Sequence, residues 1–344
     1  MTWRLARQLT NEHSVTVRLI VDDLASFQKI APQALIGQSS DNEPQRVDGV
    51  AVLHWDNAGI NGQGDFGKPA DIVIEAFQCA LPESYVGKMA RQSAKPLWIN
   101  LDYLSAEPWV TDHHLMPSPH PGLPLTKYFF FPGFADSTGG LIREAGIRPA
   151  EYNPHNNQLS LPKRIFLFGY DSPRALPLLT TLTATGSVAC ITIPAGALAK
   201  IAQRHQLEKC ITMAFVSQSA FDDVLAAHDV LFVRGEDSLV RALYAAKPLI
   251  WQIYPQSEGT HLAKLNAFLN FYCHRLAPQA EVVLRALWLA ANDGAGAGIA
   301  DAWQGFIRHL PEFEKHAVIM QKQLLSQADL ATKLMTFYQK FLKI

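Results

Sequence analysis

Apolar positions recur along this chain in two alternating patterns. Short runs rich in Val, Ile, Leu and Phe predict strands at Val15 to Val21, Asp71 to Ala76, Leu97 to Leu101 and Lys127 to Phe131. In the second half the strand-type runs are Arg164 to Phe168, Ser187 to Ile193, Ile211 to Phe215, Asp229 to Val233 and Pro248 to Ile253. Helical spacing fills the gaps at Arg174–Ala184, Ala195–His205, Ala220–Ala227 and Leu239–Ala246. Strands apolar on both faces, each followed by a helix, predict mostly parallel sheets covered on both sides. Two doubly wound α/β domains follow from the alternation in both halves.

The polar, proline-bracketed segment from Pro149 to Pro162 marks the boundary. Residues 1–150 are then one domain and residues 160–316 a second. Residues 317–344 form a tail of one or two amphipathic helices, with Ile319, Leu324, Leu325, Leu330, Leu334, Phe337 and Phe341 at helical spacing. A breaker-rich run from Asn292 to Gly298 reads as a surface loop. The start is unusual for this architecture: a helical stretch, Trp3 to Glu12, comes before any strand, whereas such domains normally open with one.

Composition narrows the possibilities. The 344 residues are 48% hydrophobic and 18% charged, enough for two cores and far from a disordered composition. Thirty basic residues against 31 acidic give a net charge of −1, so neither nucleic acid nor a membrane surface is favoured as a partner. Cys79, Cys190, Cys210 and Cys273 lie apart, without a CxxC pair, and read as reduced, mostly buried thiols. No apolar run reaches membrane-spanning length, and the expected location is the cytoplasm.

Candidate chemistry concentrates in one place. Asp229 to Val233, then Arg234-Gly-Glu-Asp-Ser238, then the helix Leu239 to Ala246, then the strand from Pro248 form a strand–turn–helix–strand unit. Its turn falls where a strand ends and a helix begins, with free backbone N–H groups able to receive a diphosphate. Arg234 can clamp phosphate oxygens, and Glu236, which would repel them, suits sugar or ribose hydroxyls. Asp237 and Ser238 are also good N-cap residues, so an ordinary capped helix explains the same pattern. Phe168 and Tyr170 end the first strand of the second half and could stack on a base. Trp251 to Gln256 ends at the same crevice. Gly62 to Gly67 spells G-x-G-x-x-G but leads into a loop and then a strand, the wrong context for a dinucleotide turn. The adjacent His113 and His114 lack metal-ligand spacing.

Several segments together resemble one family, the bacterial protein-arginine rhamnosyltransferases that modify translation elongation factor P. The carriers include Trp3-Arg-Leu-Ala-Arg-Gln-Leu9, Val73-Ile-Glu-Ala-Phe77, Leu97-Trp-Ile-Asn100, His114-Leu-Met-Pro-Ser-Pro119, Gly139-Gly-Leu-Ile-Arg-Glu144, Val233-Arg-Gly-Glu-Asp-Ser238 and Ile253-Tyr-Pro-Gln256. The resemblance implies a GT-B glycosyltransferase fold of two Rossmann-like domains, with the nucleotide sugar held mostly by the second. It implies TDP-β-L-rhamnose as donor, no metal, an arginine of elongation factor P as acceptor, and inversion at the anomeric carbon. Carried over by position, Phe168 and Tyr170 line the thymidine side. Gln218 and Phe221 hold the thymine, Arg234, Asp237 and Ser238 bind the diphosphate, and Ser219, Ala220 and Gly235 belong to the substrate-binding set. Gln256 belongs to the pocket, and Glu236 is the catalytic carboxylate that orients donor hydroxyls. The family's acceptor-side carboxylate lies in a D-N-x-G-D-I-G segment ahead of the Trp-Arg-Leu-Ala-Arg block, and that segment is not among these 344 residues. The resemblance therefore implies donor binding with poor transfer. A nucleotide-sugar and elongation-factor binding protein without activity, or another nucleotide-sugar enzyme of the same fold, are the alternatives.

Overall fold

The computed structural model describes residues 1–34, 45–55, 67–152, 162–256, 259–292 and 298–343. The Gly62–Gly67 motif apart from Gly67, most of the Pro149–Pro162 boundary and the interior of the Asn292–Gly298 loop lie outside the described residues. The chain divides into two compact units, residues 1–146 with 327–344, and residues 147–326.

The first unit opens with helix α1 (Thr2–His13), whose left-handed cap at Ser14 turns it into strand β1 (Arg18–Val21). Helix α2 (Leu24–Ile30) follows, capped by the Asp23 carboxylate accepting from the Ser26 amide. A hairpin of β2 (Gln45–Val47) and β3 (Val50–His54) turns through Asp48 and Gly49, both at positive φ. Asp-Gly is the sequence such a two-residue turn favours, because its twist matches that of the strands. The three strands form a sheet of order β1-β3-β2, with β1 parallel and β2 antiparallel to β3.

A second sheet is built from β4 (Ile72–Ala76), β5 (Leu97–Leu101), β6 (Pro117–Pro119) and β7 (Thr126–Phe130). Its order is β4-β5-β7-β6, parallel except at the short, proline-bounded edge strand β6. Helices α3 (Glu83–Arg91) and α4 (Trp109–His113) connect these strands. Every residue of β5 is buried, as a central parallel strand requires. The antiparallel β2 and β6 are departures from the mostly parallel pattern expected. Both sit at edges, where a hairpin partner needs no crossover.

The second unit carries one five-stranded parallel sheet: β8 (Lys163–Leu167), β9 (Val188–Pro194), β10 (Cys210–Met213), β11 (Val230–Arg234) and β12 (Leu249–Gln252). The connecting helices are α5 (Ala175–Ala184), α6 (Ala197–Arg204), α7 (Phe221–Ala226) and α8 (Glu236–Tyr244). The order β10-β9-β8-β11-β12 is doubly wound, and the winding direction reverses between β8 and β11. Ligands of such sheets bind at the carboxyl ends beside that reversal. Helices α9 (Thr260–Cys273), α10 (Pro278–Asn292), α11 (Ile299–Arg308) and α12 (Leu310–Leu325) complete the unit around Phe268, Trp288, Trp303 and Phe306, all buried.

The expected tail resolves into α12 and α13 (Leu330–Phe341), and the division after Ser326 separates them. Helix α13 packs Leu330, Ala331 and Leu334 with Leu5 and Leu9 of α1 and Leu97 and Ile99 of β5. Its N-cap Asp329 also accepts from the Gln8 side chain, tying α13 to α1. Of the four cysteines only Cys273 is buried. The others are partly exposed, Cys210 because it lies on the edge strand β10. Among the described residues, no helix is long and apolar enough to cross a membrane.

One half-buried imidazole sets a pH limit on the first unit. His114 Nδ1 accepts from the Phe131 amide, so the ring is held neutral. Burial, with Lys333 adding to it, pushes its pKa down from 6.5 to about 4. The unfolded chain then binds the proton first. Stability is complete above about pH 6.5 and is lost as pH falls toward about 4. The loss amounts to at most about 3 kcal/mol. Urea denaturation across that range should show the decline, and His114→Asn, which keeps an acceptor without a titrating proton, should flatten it. An unchanged slope in the variant would exclude His114 as the cause.

Candidate functional site at the winding reversal of the second sheet

Strand β11 is buried from Val230 to Val233, and its last residue is Arg234. A charged residue there needs a partner, and the neighbouring strand supplies three. The Arg234 guanidinium lies over the ring of Phe168 at 4.5 Å and over that of Tyr170 at 4.8 Å. Its Nη1 donates to the Gly169 carbonyl at 3.1 Å. Cation–π contact and a charge-assisted hydrogen bond thus compensate the guanidinium's desolvation.

Gly235 makes the whole turn in one residue. Its φ of 72° and ψ of 176° suit glycine alone, and α8 begins directly after it at Glu236. The helix was expected from Leu239, with Asp237 or Ser238 as cap. Instead Gly235 is the cap residue and makes no side-chain cap hydrogen bond, so Glu236, Asp237 and Ser238 form the first turn. A glycine cap contributes no side-chain acceptor to the first turn. The Gly235 carbonyl is itself held by the Trp251 indole N–H at 3.0 Å.

The first-turn acids have partners. Glu236 Oε1 is 2.7 Å from Lys264 Nζ, a pair whose side chains are mostly buried. Gln218 Nε2 donates to Asp237 Oδ2 at 3.2 Å. Gln218 is buried, and Phe221 three residues on packs its ring against Phe166 and Phe168. Ser219 is exposed, its hydroxyl 3.0 Å from that of Ser217, and the Ala220 amide donates to the Ser217 hydroxyl. Gln256 accepts from the Thr260 hydroxyl and donates its amide to His261, at the start of α9, the helix that carries Lys264. Phe168, Tyr170, Arg234 and Gly235 thus gather at one point, where a Cβ on Gly235 would lie 3.9 Å from the Tyr170 hydroxyl. Gln218 and Asp237 meet each other, whereas Ser219 and Gln256 contact only their local segments.

Two side-chain contacts, those of Lys264 and of Gln252, are not evident from the sequence. Lys264 stands 28 residues from Glu236, with no motif linking them. Gln252 is buried at the end of β12, where its Oε1 accepts from the Tyr170 amide at 3.2 Å and its Nε2 donates to the Ala291 carbonyl at 3.3 Å. It fixes the turn that carries the aromatic pair. Tyr254, exposed, edges against Tyr170 with ring centres 5.5 Å apart. Burial raises the Tyr170 phenol above its usual value, with Arg234 opposing, so near neutrality it is a hydrogen-bond donor. His228, at the end of α7, has its Nδ1 2.7 Å from the Val224 carbonyl and its Nε2 2.8 Å from the Thr192 hydroxyl. Burial lowers its pKa, and the neutral ring ties α7 to β9.

Two α/β units on parallel sheets, one with an anion-receptive turn at its winding reversal, place the chain in the GT-B class of glycosyltransferase folds. Residues 1–339 match the family model of the elongation-factor P (EF-P) rhamnosyltransferase EarP. A protein-arginine rhamnosyltransferase of Pseudomonas aeruginosa is 38% identical, over 99% of this chain and 95% of the relative. The corresponding protein of Shewanella oneidensis is 34% identical, over 99% and 94%. That of Neisseria meningitidis serogroup B is 33% identical, over 100% and 94%. A solved structure described as the structural basis for EarP-mediated arginine glycosylation of translation elongation factor EF-P shares the fold. Its TM-score is 0.59 at 24% identity, covering 98% of this chain and 93% of that one. The chain belongs to the elongation-factor P rhamnosyltransferase family.

The one-residue turn yields a direct expectation. Gly235→Ala forces a side chain into a backbone region that costs about 1–3 kcal/mol. Chemical denaturation should register that loss, and a variant as stable as the parent would show that the turn is not held at this conformation.

Proposed function

We propose that this chain transfers L-rhamnose from TDP-β-L-rhamnose to an arginine of elongation factor P, with inversion at the anomeric carbon. The observation that carries the reading is the Arg234 guanidinium, seated on Phe168 and Tyr170 beside the amides that open α8. Membership of the family supplies the sugar and the acceptor.

The chemistry follows from where charge develops. A guanidinium nitrogen of the acceptor attacks the anomeric carbon, and the bond from that carbon to the diphosphate oxygen breaks. Negative charge grows on the departing diphosphate. Arg234 and Ser238 at the start of α8 would donate to that charge, so that little reorganisation accompanies bond breaking. The attacking nitrogen must lose a proton. A free guanidinium has a pKa above about 12, so a carboxylate has to hold it and accept that proton as the bond forms. Glu236 takes the donor's hydroxyls, with Lys264 fixing the carboxylate. Gln218 and Phe221 suit the base: an amide for its polar edge and a ring for its face. Tyr170 donates its phenol proton toward the nucleotide.

Calorimetry with TDP and with UDP tests the donor assignment. TDP should bind more tightly, and Arg234→Ala should weaken it about 10- to 100-fold, the value of one or two charge-assisted hydrogen bonds. Preference for UDP, or undiminished TDP affinity in the variant, would overturn the donor site. Transfer itself is read by intact mass of elongation factor P after incubation with TDP-rhamnose. One arm uses the 344-residue chain and a second a form carrying residues ahead of Met1. A gain of one deoxyhexose with either supports the reaction, and no gain with both refutes it.

A further inference from the structure

The ion pair at the start of α8 is fixed from two sides. Glu236 follows the Gly235 turn directly, and Lys264 stands on α9. Lys264 Nζ lies 2.7 Å from Glu236 Oε1, with 22% of the lysine and 17% of the glutamate side chain exposed. One turn beyond Lys264 on the same helix, buried Phe268 sets its ring edge-on to that of Trp251, centres 5.6 Å apart. The Trp251 indole in turn donates to the carbonyl of Gly235, the residue before Glu236. Aromatic packing thus registers α9 against the turn that carries the carboxylate.

The pair does little for α8 itself. An acid in the first turn of a helix is already stabilised by the helix dipole and needs no cation. A partly exposed ion pair adds little stability of its own. What the lysine changes is the field at the turn. Arg234 and Lys264 are set there against Glu236 and Asp237. Burial raises the Tyr170 phenol, and of the charges around it Arg234 lowers it and Glu236 raises it, so the Glu236 charge reaches the aromatic seat. Without Lys264, the two carboxylates would face the single guanidinium of Arg234.

We infer that Lys264 is a specificity-determining residue of the donor site: by cancelling the Glu236 carboxylate it sets how much negative charge a ligand can bring, and so the balance between the sugar-bearing nucleotide and the free nucleoside diphosphate. The inference rests on the donor reading proposed above. The two ligands differ in charge at one end. In the donor the outer phosphate is esterified by the sugar and carries a single charge. In the free diphosphate that phosphate ionises a second time near about pH 6. An uncompensated carboxylate opposes each added charge, and a compensating cation relieves that opposition. Lys264 therefore favours the free diphosphate more than the donor. The charge that separates the two is the one that develops on the leaving oxygen as the sugar bond breaks, so the same lysine eases that step.

Calorimetry on the intact chain at about pH 8, where the free diphosphate is fully ionised, tests it with TDP and TDP-β-L-rhamnose as probes. Lys264→Met should weaken TDP about fivefold or more and TDP-rhamnose less, and added salt should shrink the difference. Glu236→Gln, with Lys264 in place, should tighten TDP. The double variant Glu236→Gln/Lys264→Met should return TDP to within about twofold of the parent, the additivity error of such a cycle. Lys264→Arg should keep the parent's ratio of the two affinities. Equal loss of both ligands in Lys264→Met assigns the lysine a structural role and overturns the inference. A double variant as weak as Lys264→Met also overturns it, because the lysine would then act by touching the phosphates. Should Lys264→Met fail to fold, the Glu236→Gln arm decides: unchanged or weaker TDP binding refutes the charge balance. Failure of the donor reading is distinct, since TDP affinity is then undiminished in Arg234→Ala or missing from the parent.

Discussion

The guanidinium of Arg234 is the point on which the second unit's surface chemistry turns. It closes a strand whose preceding four residues are buried, so its charge stands at the edge of a low-dielectric interior. Unpaired, it would cost several kcal/mol. It is compensated without a carboxylate: two aromatic faces and one carbonyl take its place. Aromatic faces stabilise the cation by about 0.5–2 kcal/mol each and leave its net positive charge intact. A salt bridge would have satisfied the group and cancelled the field it projects. The aromatic seat instead leaves the positive charge uncancelled at a helix N-terminus.

That arrangement explains why the acids of the first turn are tethered. Glu236 and Asp237 at a helix N-terminus stabilise the helix dipole, by about 0.3–1 kcal/mol each. They would also repel a diphosphate brought to the same amides. Lys264 offsets the charge of Glu236, and the Gln218 amide engages Asp237 from the side. Both first-turn carboxylates are thus engaged by neighbouring side chains. Gln252 acts one layer deeper. It binds the Tyr170 amide and the Ala291 carbonyl at once, so the aromatic seat is referenced to a buried side chain and not to loop conformation.

Much of this was legible in the residues. Strands from Asp71, Leu97, Arg164, Asp229 and Pro248 announce themselves because buried parallel strands are apolar at successive positions. Arg234 through Ser238 could be placed at a strand–helix junction for the same reason. Periodicity could not reveal the length of that junction. Glu236, Asp237 and Ser238 read as loop and cap by composition, and the positive φ of Gly235 converts them into helix. The Asp48-Gly49 hairpin carries a recognisable turn signal, but its first strand, Gln45–Val47, is too short and too polar to stand out. Lys264 and Gln252 act through side chains distant in sequence from their partners, and no local pattern encodes such a meeting. The ending of the chain is a similar case: α12 and α13 share one amphipathic pattern, yet the division between units falls in the four residues that join them.

The two units show how a parallel sheet's continuity governs what it can hold. In the second, β8 and β11 pair directly from Val230 to Phe232, and the turns beyond them are fixed relative to one another by that ladder. Phe168 can meet Arg234 because their strands are hydrogen-bonded neighbours. In the first unit β1 and β4 share two cores but no ladder, so packing alone sets the spacing of their carboxyl ends. Packing tolerates small displacements that a hydrogen-bond register does not, since apolar contact is non-directional. The second unit's ladder therefore fixes the spacing of Phe168 and Arg234 directly, whereas in the first unit apolar packing carries that task for β1 and β4.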